Sequence, residues 1–104
     1  MPINIYLFIL IIALSVESPP TNCKTCYGFI LIYNNENSEE KNERIEKICM
    51  PNAIRTFPFE FGICEWIEKE GKSFVIEKLN KCVDKTCIRE VCSNLSGFSC
   101  YNQI

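Results

Sequence analysis

The side chains best able to do chemistry in this sequence are its eight cysteines: Cys23, Cys26, Cys49, Cys64, Cys82, Cys87, Cys92 and Cys100. Thiols at this density can exchange electrons, bind a soft metal or cross-link the chain. Cys23-Lys24-Thr25-Cys26 has the two-residue spacing of a redox dithiol. No alternation of strand and helix patterns surrounds it, however, and six further cysteines would be left without a role. The sequence contains no histidine, which argues against zinc and removes the usual general base. No nucleophile–base pairing is visible, so the chain is not expected to be an enzyme, and no cofactor or metal is expected. Cross-linking remains. An even number of cysteines behind an apolar leader reads as four disulfides in a small secreted domain.

The leader is Ile3 to Leu14, a nearly unbroken apolar run. Its length suits a signal-peptide core and falls short of the ~20 residues that span a bilayer. Ala13 and Ser15 stand at the −3 and −1 positions of a cut before Val16, although no Lys or Arg precedes the run. The expected organisation is a signal peptide over 1–15, a short spacer over 16–22, one domain over 23–100 and a tail over 101–104. The spacer holds Pro19-Pro20-Thr21 and is expected to be extended. The alternative is an uncleaved anchor. The expected location is outside the cell or in the lumen of a secretory or lysosomal compartment.

A chain of 104 residues has room for one domain. The part after the leader is short enough to need staples for its core. Charge is near balance, 11 Lys+Arg against 13 Asp+Glu, without the basic patch that nucleic acid demands. Asp84 is the only aspartate; the other acidic residues are glutamates, which favour helix.

The elements that carry the cysteines emerge from periodicity. Cys23, Cys26, Ile30 and Tyr33 recur on one helical face, with a strand over Phe29–Ile32 as the rival reading. Asn34 to Ser38 is a polar loop, and a second helix begins near Ser38, capped by Asn37 or Ser38. It turns Ile45, Ile48 and Cys49 inward and stops at Pro51. After the connection Asn52–Pro58, Phe57, Phe59 and Phe61 lead into a third helix carrying Ile63, Cys64, Trp66 and Ile67. Phe57 and Phe59 are the aromatics expected to be most exposed. Gly71 breaks that helix from a fourth piece with Phe74, Val75, Leu79 and Cys82 on one side. A tight Cys82–Cys87 segment precedes a last helix near Ile88–Leu95, closed by Ser96-Gly97. The fold class expected is all-α, a compact bundle of four to five helices cross-linked by disulfides.

From Cys23 to Cys100 the chain resembles the saposin-like (saposin B-type) domains, among them the single-domain amoebapore and caenopore type. The resemblance is carried by Cys23-Lys24-Thr25-Cys26 at a helix start, Cys49 closing the second helix, Cys64-Glu65-Trp66-Ile67, Gly71, Phe74-Val75, Leu79 and Val91-Cys92-Ser93-Asn94-Leu95…Cys100. It implies nested bridges Cys23–Cys100, Cys26–Cys92 and Cys49–Cys64, leaving Cys82–Cys87 as a local pair. The intervals Cys49 to Cys64 and Cys92 to Cys100 are longer than usual, and the fourth pair lies outside the common pattern. A rival order takes Cys87 and Cys92 as the last framework cysteines and joins Cys82 to Cys100. In the chain-entropy model the largest implied loop contributes roughly 4–5 kcal/mol, Cys49–Cys64 roughly 3 and Cys82–Cys87 roughly 2, without simple additivity.

The resemblance also implies partners: lipids or a membrane surface, with homo-oligomerisation left open. The leading expectation is a membrane-perturbing, antimicrobial type that opens its helices onto a bilayer. The alternatives are a non-lytic carrier or activator that presents lipid to an enzyme, and a secreted effector that binds protein. Lipid-facing candidates are Ile30, Leu31, Ile45, Ile48, Phe61, Trp66, Ile67, Phe74, Val75 and Leu79, all equally at home in a core. A net charge of −2 gives no overall attraction to anionic membranes, and twelve glutamates protonating near ~4.3 would reverse its sign in acid. Asn94-Leu95-Ser96 is a glycosylation sequon, so Asn94 is a modification candidate.

Overall fold

Pro19 and Pro20 open the first helix instead of forming an extended spacer. The computed structural model describes residues 18–104; the expected signal peptide over 1–15 lies outside the described residues. Helix α1 runs Pro19–Asn34. Its first turn needs no backbone donors, and the fixed φ of proline suits it, so two prolines fit where an extended segment was expected. The Asn22 N–H then donates to the Ser18 carbonyl at 2.9 Å. Phe29–Ile32 is helical, since only that geometry buries Cys23, Cys26, Ile30 and Tyr33 together.

Helix α2 (Ser38–Cys49) starts on a capping box. Asn37 Oδ1 accepts the Glu40 N–H at 2.8 Å, and Glu40 Oε1 accepts the Asn37 N–H at 3.1 Å. Helix α3 (Pro58–Glu70) begins with proline, and Glu60 Oε1 accepts the N–H groups of Phe57 and Thr56 at 3.1 and 3.3 Å. Gly71, at φ 92°, separates α3 from α4 (Lys72–Lys81), a turn that disfavours any side chain. Asp84 Oδ1 accepts the Cys87 N–H at 2.7 Å and caps α5 (Lys85–Ser96), which Gly97 ends in the left-handed region. The described residues thus form an all-helical, compact bundle of five helices without strands.

Helix α3 is central: it packs on α5, α4, α2 and α1. Ile30, Tyr33, Ile45, Phe59, Ile63, Val75, Leu79 and Ile88 fill the core between them. Gly62 lies so close to α5 that a Cβ there would overlap the Leu95 carbonyl. The Asn22 side chain is fully buried. Its Nδ2 donates to Ser96 Oγ at 2.6 Å, and its Oδ1 accepts the Phe59 N–H at 3.0 Å.

All eight cysteines are paired, as Cys23–Cys100, Cys26–Cys92, Cys49–Cys64 and Cys82–Cys87. The rival order that joins Cys82 to Cys100 is not adopted. These bridges divide the bundle. Three of them tie α1, α4, α5 and the tail into one covalent group, while Cys49–Cys64 ties α2 to α3. No bridge crosses between the groups. The chain itself crosses twice, at Asn35–Asn37 and at Gly71. Among noncovalent links, Asn22 to Phe59, Lys72 to Glu46 at 2.9 Å and Lys41 to Asn80 at 2.8 Å also cross. The tail is not loose: Ile104 packs on the core, and its backbone oxygen accepts from Arg89 Nη2 at 2.6 Å.

Candidate functional site

Along the contact of α3 and α5 runs an open groove of about 1040 Å³. On α3 its wall is Phe61, Gly62, Glu65, Trp66 and Lys69, a single helical stripe. On α5 it is Cys87, Glu90, Val91, Asn94 and Leu95, the matching stripe. Its apolar lining is Pro58, Phe61, Trp66, Val91 and Leu95. Lys78 and Lys81 reach in from the last turn of α4. Because Gly62 lets the two backbones touch at Leu95, the groove is walled by rigid helices and needs no loop to form it.

Trp66 is held in place by an edge-on contact with Phe74, ring centroids 6.5 Å apart at 85°. Lys78 Nζ stands 5.3 Å from the centroid of the Phe74 ring. The rim thus carries three lysines (Lys69, Lys78 and Lys81) against Glu65 and Glu90. Lys69 and Lys81 pair along their own helices with Glu65 and Glu77.

The ten lipid-facing candidates do not share one surface. Ile30, Ile45, Val75 and Leu79 are sealed in the core, and Ile48 and Ile67 are half-buried. Leu31 and Phe74 are exposed away from the groove wall, so only Phe61 and Trp66 of the ten line it. Helical spacing identifies an apolar face without saying whether a neighbour covers it. Phe59 also departs from expectation: it is buried in the first turn of α3, against Phe29 at 5.5 Å and Phe57 at 5.8 Å, and Phe57 itself is half-buried. Of Phe57, Phe59 and Phe61 it is Phe61 that is exposed, at 52%. Val91 and Leu95, which the sequence offers only as part of the pattern closing the last helix, line the α5 side of the groove. Their spacing from Cys87 was the signal that could have found them. Asn94 is exposed on the rim, and the hydroxyl of its sequon partner Ser96 is engaged by Asn22.

Charge elsewhere is organised around the two places where the chain crosses between covalent groups. Arg44 grips Glu36 with two bonds, Nε at 2.6 Å and Nη2 at 2.8 Å, and holds its carboxyl below the ordinary value. The hydrogen bond from Lys72 does the same to Glu46. Burial, aided by the charge of Glu36, pushes the Tyr33 phenol up to about 12. The Tyr33 hydroxyl has no hydrogen-bond partner among the described residues. No group of three or more His, Cys, Asp or Glu side chains placed to hold a metal occurs among them.

Compared with family models, with curated proteins and with solved structures, the chain matches none. Within the described residues no helix is long and apolar enough to cross a membrane. Four disulfides suit an oxidising, extracellular-type environment.

Proposed function

We propose that this chain is a secreted, saposin-like lipid-binding protein that works at membrane surfaces. The observation that carries the reading is the apolar groove between α3 and α5, about 1040 Å³ in volume and so just above the upper end of the ~300–1,000 Å³ range of small-molecule pockets. Phe61, Trp66, Val91 and Leu95 offer an acyl chain a dry contact, and the lysines on the rim can meet a polar head. The bundle need not open to use it. That favours a carrier, which holds lipid in a closed fold, over the membrane-perturbing version.

A second mode is supported by the bridge pattern. With no disulfide between the α2–α3 pair and the rest, the two groups can part without any covalent bond breaking. Opening would bring Ile45, Val75 and Leu79 to a bilayer, as a membrane-perturbing protein requires.

The test uses the oxidised, purified chain with dye-loaded vesicles at pH 7 and pH 4.5 in matched salt. Transfer of labelled lipid between vesicles without dye release identifies a carrier. Dye release, expected to be greater at pH 4.5, identifies the perturbing mode. A chain that does neither, and does not co-sediment with vesicles at either pH, is not a lipid protein, and a protein partner becomes the reading to pursue.

A further inference from the structure

The connection between α2 and α3 presents an isoleucine, Ile54, that is 91% exposed. Single exposed apolar residues are ordinary, but this one has company and a rigid seat. Met50 is 47% exposed on the same connection, and Phe61 stands on the first turns of α3. Arg55 gathers them: its Nη1 donates to the carbonyls of Ile48 at 2.8 Å and Met50 at 3.2 Å, and its guanidinium stands 5.5 Å from the centroid of the Phe61 ring. The Ala53 N–H donates back to the Met50 carbonyl at 3.0 Å, and Glu60 holds the N–H groups of Thr56 and Phe57. Cys49–Cys64 clamps the base. The backbone is therefore held at both ends of the segment, with Ile54 turned to solvent.

Charge chooses the occupant. Between Glu46, which is paired with Lys72, and Glu60, whose Oε1 accepts the N–H groups of Thr56 and Phe57, the only charged residues are Lys47 and Arg55, in a chain whose net charge is −2. Along the chain a cation stands on either side of the exposed Met50 and Ile54. Three side chains fall far short of the ~800 Å² per partner that a stable protein interface needs. They are enough to seat in the boundary between headgroups and acyl chains.

We infer that this connection is an insertion tip for anionic bilayers, with Ile54 and Met50 entering the acyl boundary and Lys47 and Arg55 meeting lipid phosphate. The inference rests on the lipid-binding reading above and adds the place of first contact, which adjoins the groove at Phe61 and is centred on Ile54 and Met50 outside its lining.

The experiment uses the full oxidised chain and vesicles of mixed phosphatidylglycerol and phosphatidylcholine, or of phosphatidylcholine alone, with brominated acyl chains. In the variant I54W/W66F, brominated lipid should quench the tryptophan at position 54. I54S should weaken partitioning at least about ten-fold, from the lost burial of the side chain. K47Q should weaken it about five-fold on the mixed vesicles and leave it unchanged on phosphatidylcholine. Vesicle binding in which Trp66 of the parent chain is quenched and position 54 is not would overturn the tip and leave the groove standing. Equal binding to both vesicle types would overturn the role of the cations. Self-association abolished by I54S, with position 54 unquenched, would make the tip a contact between copies. No vesicle binding by the parent chain at all would sink the tip and the lipid reading together.

Discussion

The side-chain oxygen of Asn22 accepts the backbone N–H of Phe59 at 3.0 Å, across a boundary that no disulfide spans. Phe59 is the second residue of α3, so this N–H is one of the donors that a helix start leaves without a partner. Asn22 supplies the acceptor from α1 and turns its amide nitrogen to Ser96 on α5. One fully buried side chain therefore joins three helices and latches the α2–α3 pair to the rest.

Removing the latch should be costly. Asn22→Ala leaves a buried N–H unsatisfied, a penalty of about 1–3 kcal/mol, and adds a small void. Denaturant unfolding of the oxidised variant should show a loss of that order. Amide exchange at Phe59 should accelerate more than at Cys92, which stays within the bridged group. Equal acceleration at both sites would mean that Asn22 supports the whole core and not the boundary.

Two glycines should respond to alanine with opposite signs. Gly28 lies inside α1, and an added Cβ meets nothing within 4 Å. Gly28→Ala should stabilise by about 0.5–1 kcal/mol through helix propensity alone. Gly62→Ala gains the same propensity but drives its Cβ into the Leu95 carbonyl. Rigid backbone cannot yield as a side chain can, so a net loss of about 2 kcal/mol or more is expected. Thermal melts of the two variants beside the parent chain decide it. A stabilised Gly62→Ala would show that α3 and α5 are not in contact there, and the groove geometry would fall with it.

Tyr33 offers a test in alkali. Its hydroxyl is buried with no partner among the described residues, so Tyr33→Phe should be neutral or slightly stabilising at pH 7. The native phenol titrates at about 12 against a reference of 10.0. A raised value means the native state favours the neutral form. The associated stability is complete below pH 10 and drains as the pH climbs toward 12. The parent chain should therefore lose stability across that window, and Tyr33→Phe should lose less.

Much of this architecture is legible in the cysteines and in local rules. The Asn37 cap, the Gly71 break and the Gly97 stop all lie within a few residues of the helix ends they control, whereas α5 starts at Lys85 on the Asp84 cap, ahead of the start near Ile88 that its apolar spacing suggests. The features that stay hidden depend on distant neighbours. Asn22 reads as a polar spacer residue until α3 and α5 are brought to it. Gly62 carries no signal in the sequence, and its role appears only once the Leu95 carbonyl lies against it. Val75 and Phe74 look alike in sequence, yet one is sealed and the other open. Pro19-Pro20 misleads for another reason. Proline is equally at home in an extended spacer and in a first helical turn, and the apolar face from Cys23 to Tyr33 decides between them.

Acid should loosen the bundle where its two covalent groups meet. Glu36 lies in the chain crossing between α1 and α2, and Lys72, the partner of Glu46, directly succeeds the crossing at Gly71. Arg44 and Lys72 lower the two carboxyl values beneath their reference of 4.5. A lowered native value means the charged form is favoured in the fold. The contribution is complete above the reference value, and it is lost as the pH falls through the lowered one. The Glu46–Lys72 pair is open to solvent and screened by salt, so Glu36, gripped by both bonds from Arg44, should dominate. Glu36→Gln should therefore destabilise the chain at pH 7, and its deficit relative to the parent should shrink as the pH drops below 4.5. If opening of these crossings is what exposes the core to lipid, Glu36→Gln should also raise dye release at pH 7 toward the parent's value in acid. A variant that is destabilised at pH 7 yet releases no more dye would separate acid softening from membrane action.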